Sequence, residues 1–110
     1  MNKKLLAGRH LFEIGFGCMN INHAYPEFLT EGEASRLIHQ AVDLGFDHFD
    51  TAALYGFGQN ESWLGKNMQS LRSRILLASK CGMTGIHGKR VIDGRPQTLI
   101  STLEQALTRL

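Results

Sequence analysis

Cysteine is scarce in this 110-residue chain. Cys18 and Cys81 lie far apart and form no Cys-x-x-Cys pair, which excludes a disulfide framework and makes a reducing cytosol the default compartment. No apolar run approaches the ~18 residues of a membrane span, so neither a transmembrane helix nor a membrane partner is expected. The start is briefly basic and then briefly apolar. Its apolar part is too short for a signal peptide, and Arg9 and His10 interrupt it. Charge of one sign is almost missing: Lys+Arg 12 against Asp+Glu 10 leaves +2, too little to argue for a nucleic-acid partner. His23, His39 and His87 show no ligand spacing such as His-x-x-x-His, so no metal site is expected. There is no low-complexity segment and no collagen-like or coiled-coil repeat. What remains is ordinary: 43% hydrophobic and 20% charged residues indicate one globular domain of α/β type.

The path along the chain alternates between two periods. Leu5, Leu6, Leu11, Phe12 and Ile14 flank the turn-like Ala7-Gly8-Arg9, which predicts a small hairpin. Residues 14 to 19, Ile-Gly-Phe-Gly-Cys-Met, read as a short buried strand whose glycines suit close approach to the backbone. Residues 20 to 28 are polar with Pro26 and read as a loop. Thr30 and Glu33 form a capping-box pattern, and Ala34, Leu37, Ile38, Ala41, Val42 and Leu44 mark one face of a helix ended by Gly45. Residues 46 to 50 are a second strand, with Phe46, His48 and Asp50 on one face and Asp47 and Phe49 on the other. Residues 51 to 59 read as a loop. Asn60, as cap, opens a helix through about Leu71, weakly patterned and with Gly65 inside it. Residues 74 to 79 are an apolar run, expected of a strand covered on both faces. Residues 81 to 96 read as a long loop, and Leu99, Ile100, Leu103, Ala106, Leu107 and Leu110 mark a last helical stripe.

A hairpin followed by three strand–helix pairs implies right-handed parallel crossovers. Two architectures fit: a doubly wound open sheet, or the first part of a (β/α)8 barrel, which needs about 250 residues. The chain lacks a Gly-x-Gly-x-x-Gly turn after its first strand, which weighs against a dinucleotide-binding Rossmann unit. In either architecture chemistry sits beyond the carboxyl ends of strands. There the sequence places Asp50, Tyr55 and Lys80. Tyrosine, with a pKa of ~10, is a poor acid at neutral pH. A nearby ammonium stabilises its phenolate, and a carboxylate keeps that ammonium charged and in place. The trio makes a general acid suited to protonating a carbonyl oxygen as hydride reaches its carbon. From spacing alone, the trio reads more simply as a surface ion pair with a loop tyrosine.

The surrounding motif changes that balance. Residues 44 to 65, Leu-Gly-Phe-Asp-His-Phe-Asp-Thr-Ala-Ala-Leu-Tyr-Gly-Phe-Gly-Gln-Asn-Glu-Ser-Trp-Leu-Gly, resemble the signature of the aldo-keto reductase superfamily: a strand ending in Asp-Thr-Ala, then Tyr-Gly, then Asn-Glu-x-x-Leu-Gly. Residues 14 to 19 resemble its first barrel strand, residues 75 to 80 its third, and residues 95 to 110 the helix that follows. The resemblance implies an N-terminal hairpin plus the first three βα units of a (β/α)8 TIM barrel, incomplete, with residues 1 to 110 an N-terminal fragment of one barrel domain. It implies NADPH as hydride donor and a small aldehyde or ketone as substrate. It puts Tyr55 at the proton-donor position, Lys80 at the tuning position, and Asp50 where a carboxylate holds the lysine and touches the nicotinamide ribose. Gly17, Cys18 and Met19 match the first-strand end, whose backbone lies against the nicotinamide.

Two departures stand out. Asp47 replaces the Arg or neutral residue often found at its position, and little effect is expected because it faces away from Asp50. The family's tetrad also includes a histidine ending the fourth strand, and the chain stops before that strand. The fragment is therefore expected to be inactive alone, and to be insoluble, molten or associated, with Phe16, Phe46 and Ile75 or Leu76 lacking partners and with unpaired strand edges. The alternative function is a non-catalytic truncated homologue or a scaffold subunit. His48 reads as an interior histidine, Trp63 as helix packing, the two cysteines as buried or half-buried fillers, and Lys89-Arg90 as a solvated loop.

Overall fold

The computed structural model describes residues 2–24 and 26–110; Met1 and Tyr25, the latter within the loop expected over 20 to 28, lie outside the described residues. The hairpin forms as expected. Strands β1 (Lys3–Leu6) and β2 (Arg9–Phe12) pair antiparallel about a two-residue turn in which Ala7 (φ 50°) and Gly8 (φ 74°) are both left-handed. Side chains hold it to the sheet. Arg9 donates to the carbonyls of Ile75 (2.7 Å) and Ser73 (2.8 Å), and the Phe12 amide donates to Asp47 Oδ1 (2.8 Å). Lys3 reaches Asp47 Oδ2 at 3.4 Å. Asp47 thus has a definite structural task, contrary to expectation: it satisfies a backbone amide of the hairpin.

Three short parallel strands, β3 (Phe16–Gly17), β4 (His48–Asp50) and β5 (Leu76–Ala78), form the central sheet in the order β3-β4-β5. Their register sets Gly17 opposite Asp50 and Asp50 opposite Ala78, so the carboxyl ends of all three are level. Helix α1 (Glu31–Asp43) carries the expected capping box. The Glu33 amide donates to Thr30 Oγ1 (3.2 Å), and the Thr30 amide donates to Glu33 Oε2 (2.8 Å). Ala34, Ile38 and Ala41 turn inward and are buried.

Helix α2 (Gln59–Met68) differs from expectation at its start. Gly58 is the cap, Asn60 lies inside the helix, and the residues before it form a 3-10 turn over Tyr55–Gly58 rather than an open loop. Gly65, which weakens the apolar pattern, has a packing reason. A Cβ there would fall on the carbonyl oxygen of Arg109, so its absence lets α2 meet helix α3 (Pro96–Arg109) backbone to backbone.

The segment expected as a loop over 81 to 96 contains a second hairpin, β6 (Met83–Ile86) and β7 (Lys89–Ile92), turning through His87 (φ 51°) and Gly88 (φ 74°). Lys89 and Arg90 are exposed, as expected, but on a strand. Helix α3 begins at Pro96, where the lost amide costs nothing. The Asp93 carboxylate clamps that start, accepting from Arg95 (2.6 Å) and Thr98 (2.9 Å). These bonds, Arg95 foremost, hold the Asp93 carboxyl well below the usual carboxylate range. The clamp's contribution is therefore present above pH ~4 and lost as pH falls.

The core lies between the sheet and helices α1 and α2. Phe49, Ile38, Leu64, Met68 and Ile75 are fully buried, and Phe16 lies 5.4 Å from Phe49 between ring centroids. Ile75 is therefore a core residue, and Phe16 and Phe46 pack against that core, where the sequence had suggested side chains without partners. The other side is open. Strand β5 is half-buried rather than covered on both faces. In α3 the buried positions are Thr102 and Ala106, while Ile100, Leu103 and Leu107 are exposed. Among the described residues no helix is long and apolar enough to cross a membrane.

Gly65→Ala should separate α2 from α3 and lower stability by at least ~1–3 kcal/mol, the usual cost of overpacking. A urea midpoint equal to that of the unmodified chain would show that the two backbones are not in contact.

Candidate active site

The site grows from the level ends of the strands. Asp50 is the last residue of β4, and Lys80 follows β5 by two residues. The Lys80 ammonium lies 3.1 Å from both Asp50 oxygens and donates to the carbonyl of Thr51 (2.8 Å) and to the phenol oxygen of Tyr55 (3.2 Å). It also lies 4.9 Å from the Tyr55 ring centroid. Burial alone would lower the Lys80 pKa, but the hydrogen bonds with Asp50 and Tyr55 outweigh it and hold the amine above its ordinary value. Side-chain exposures of 48% for Lys80 and 45% for Asp50 put the pair in the class of surface salt bridges, worth ~0–1 kcal/mol to the fold. Stability does not explain the arrangement.

Tyr55 is aimed by its turn and by a histidine. Its amide donates to the Ala52 carbonyl (3.1 Å), and its ring lies 5.4 Å from that of His23. His23 Nδ1 in turn accepts from the Gly56 amide (3.2 Å), which leaves the ring proton of a neutral imidazole on Nε2. Gly56 has φ 57° and sits so close to the Asn22 side chain that a Cβ would come within 2.9 Å of Nδ2. A larger residue beside Tyr55 would displace that loop.

Residues to which the sequence reading gave no part in the site surround the trio. Thr51, Asn60 and Glu61 are all fully buried. Asn60 Oδ1 accepts from the Thr51 hydroxyl (2.6 Å), and its Nδ2 donates to the Cys18 carbonyl (2.8 Å) and to Asn22 Oδ1 (2.8 Å). Glu61 accepts from the Ser79 hydroxyl (2.6 Å) and from Arg109 (2.9 Å), tying the residue before Lys80 to α3. Polar residues inside a helix pattern were the available signal: Asn60 and Glu61 fall where an apolar face would otherwise run.

The first-strand end is mixed. A Cβ on exposed Gly17 would meet nothing within 4 Å, so the protein itself does not require glycine there, whereas a flat ring lying against the strand end would. Met19 is half-buried. Cys18 is fully buried, its amide donates to the Asp50 carbonyl (2.9 Å) and its own carbonyl accepts from Asn60 and Ile21. Its role is in the frame. Burial pushes its thiol up to about 12, while Cys81 is exposed rather than a filler. Gly17, Met19 and the Asp50 carboxylate thus lie at the carboxyl ends of β3 and β4, where Gly17 leaves room for a flat ring. A cavity of about 410 Å³ lies at the opposite end of the strands, lined by Arg9, Asp47 and Arg74 among others, and another of about 200 Å³ lies beside Lys80 against α3.

Parallel strand–helix units with a carboxylate, a lysine and a loop tyrosine converging at the strand ends define a segment of a TIM-barrel protein. The chain belongs to the aldo/keto reductase family, whose model matches residues 13–110. It is 36% identical over 106 residues to probable aldo-keto reductase 1 of Glycine max, covering 94% of this chain and 30% of that protein. It is 34% identical over 101 residues to aldo-keto reductase yakc of Schizosaccharomyces pombe, whose name carries NADP(+), covering 88% of this chain and 29% of that one. The holo form of aldo-keto reductase AKR11C1 from Bacillus halodurans superposes on 100% of the chain with TM-score 0.87 and 32% identity, over 36% of its own length. Glycerol dehydrogenase AKR11B4 from Gluconobacter oxydans gives TM-score 0.77 at 27% identity, over 93% of this chain and 33% of its own. The chain therefore spans about a third of the length of the relatives it matches.

In the folded chain at pH 8, Cys81 should react promptly with a disulfide reagent and Cys18 only after urea is added. Two equally fast thiols would place Cys18 at the surface. The raised Cys18 thiol also fixes a sign. An unfolded thiol ionises near 9.0 and the folded one only near 12, so this contribution is full below pH 9 and lost between the two values. The raised Lys80 amine acts in the same direction, so the urea midpoint should fall as pH climbs above 9; a midpoint that rises there would reverse the assignment.

Proposed function

We propose that this chain carries the proton-donating part of the active site of a nicotinamide-dependent oxidoreductase that reduces aldehydes or ketones to alcohols. The observation that carries the reading is the direction of one hydrogen bond. An ammonium has donors only, so Lys80 donates to the Tyr55 oxygen at 3.2 Å and leaves the phenol's own proton free to point elsewhere. Tyr55 is the proton donor to a carbonyl oxygen. Lys80 places positive charge against the phenolate that forms as the proton leaves. Asp50 fixes the amine and keeps it charged. Together they supply charge stabilisation where negative charge develops.

A bound nicotinamide would supply the hydride, and NADPH is the form proposed, in line with the NADP(+) in the name of the S. pombe relative. Gly17, Met19 and Asp50 would lie against its ring and ribose, with Cys18 holding the strand end in place. On this reading residues 1 to 110 are the N-terminal part of one barrel domain acting in the cytoplasm. The histidine that completes the tetrad, and the grip on the adenosine end, would come from strands and loops beyond α3, so the 110 residues alone are not expected to turn over a carbonyl.

In a complete barrel carrying these residues, Tyr55→Phe and Lys80→Met should each slow single-turnover hydride transfer by ~10²–10⁴, the usual share of general acid catalysis, while cofactor affinity is largely kept. Single-turnover rates unchanged by Tyr55→Phe would remove the phenol from the mechanism. The chain by itself should not oxidise NADPH in the presence of an aldehyde; turnover that disappears with Tyr55→Phe would show that the site is already sufficient.

A further inference from the structure

We propose that Asn60 is a positioning residue of this site: its buried amide holds Thr51 so that the Thr51 carbonyl faces the Lys80 ammonium, and it ties the ends of β3 and β4 and the loop behind Tyr55 into one frame. The inference deepens the reading of Lys80 and Tyr55 given above and rests on it for its catalytic meaning. Its geometric content stands on the hydrogen bonds alone.

Asn60 uses both of its amide donors and its acceptor, at 2.6–2.8 Å. None of these three partners belongs to α2, and the helix is capped by Gly58, so the side chain is not there to start the helix. Each partner touches the site. Thr51 gives its hydroxyl to Asn60 and its carbonyl to Lys80, while its amide donates to Ala78 (2.8 Å) in the neighbouring strand. Cys18 gives its carbonyl to Asn60 and its amide to the carbonyl of Asp50. Asn22 packs on Gly56, next to Tyr55, and precedes His23, whose ring lies tilted 5.4 Å from that of Tyr55. A single planar amide therefore fixes two stretches of chain, residues 18–22 and Thr51, to α2 at once. The surroundings are dry: Cys18 and Thr51 are fully buried, and Asn22 is 2% exposed. Without Asn60 the Thr51 hydroxyl and the Cys18 carbonyl would be left buried without these partners, and each would turn toward another. Turning Thr51 moves its carbonyl off Lys80. The exposed Asp50–Lys80–Tyr55 contacts have little binding energy of their own to resist that shift.

The test follows the Lys80 amine by NMR in a complete barrel carrying these residues, with lysine labelled at Cε and the resonance assigned by its loss in Lys80→Arg. Asn60→Ala and Thr51→Val should each shift the Lys80 titration midpoint down, toward that of the other lysines. Thr51→Ser, which keeps the hydroxyl, should restore the original midpoint. Ile38→Val, a core change in α1, should leave it where it was. If Asn60→Ala does not fold, the Thr51→Val and Thr51→Ser pair decides. An unmoved Lys80 midpoint in folded Thr51→Val, or an equal shift in Ile38→Val, would overturn the proposal. In a complete barrel Asn60→Ala should lower kcat by ~10²-fold, as for a small misplacement of a catalytic group, with KM changed far less. A rise in KM with kcat unchanged would overturn it as well. Should the Lys80 response occur as stated while a complete barrel reduces no carbonyl, the positioning of Lys80 by Asn60 stands and the reductase reading fails.

Discussion

The ammonium of Lys80 meets four oxygens from three residues: both carboxylate oxygens of Asp50, the carbonyl of Thr51 and the phenol of Tyr55. An amine with three hydrogens can satisfy such a set only if every acceptor is held in place. Here the hold is provided by the parallel register. Gly17, Asp50 and Ala78 lie in one row, so the residues that follow each strand emerge at the same height. A slip of one residue between β4 and β5 would turn Asp50 to the other face and dissolve the site. The strands that enforce this are only two or three residues long, and their ladder bonds are few. The packing of Phe49, Ile38, Leu64 and Ile75 beneath them makes so short a sheet definite.

The site and the core divide the labour. The charged groups are half-exposed and contribute little to folding; the buried polar groups beneath them do the holding. Glu61 joins Ser79 to Arg109, and Asn60 joins Thr51 to Cys18, so two residues in the first turn of α2 reach the ends of all three strands. Each of these groups is satisfied, and no buried side-chain polar atom among the described residues lacks a partner. A fully satisfied polar layer of this kind is rigid, because any departure leaves a desolvated group unpaired.

The open side has the opposite character. Strands β3 and β5 are the outer strands of the sheet, and Ile100, Leu103 and Leu107 of α3 face outward beside β5. The stripe that identified α3 as a helix was read correctly as a period and only in part as a face: Ala106 is buried and Leu110 packs against the core, while Ile100, Leu103 and Leu107 are exposed. Thr102 and Ala106 are the residues it buries here, because the contact with α2 is made through Gly65 and the backbone of Arg109. The chain spans about a third of the length of its relatives, and among the described residues Ile100, Leu103 and Leu107 have no cover.

Local patterns in the sequence determined the elements whose signals are local: the Ala7-Gly8 hairpin turn, the Thr30–Glu33 capping box, the inward face of α1, and the Asp-Thr-Ala and Tyr-Gly segments that place Asp50 and Tyr55. The 83–92 hairpin was hidden because no alternation of apolar and polar residues marks it: Met83, Ile86 and Ile92 are exposed, Thr84 and Val91 are half-buried, and its His87-Gly88 turn was the only cue. Asn60 looked like a cap because caps favour that residue type, and Asp47 looked idle because it points away from Asp50. Tertiary structure alone decided what these two side chains do, along with the closure of Lys80 on Asp50 and Tyr55. Apart from the bond between Asn60 and Thr51, these hydrogen bonds join residues 25 or more apart in the chain; they carry no periodicity along it and exist only once the strands are level.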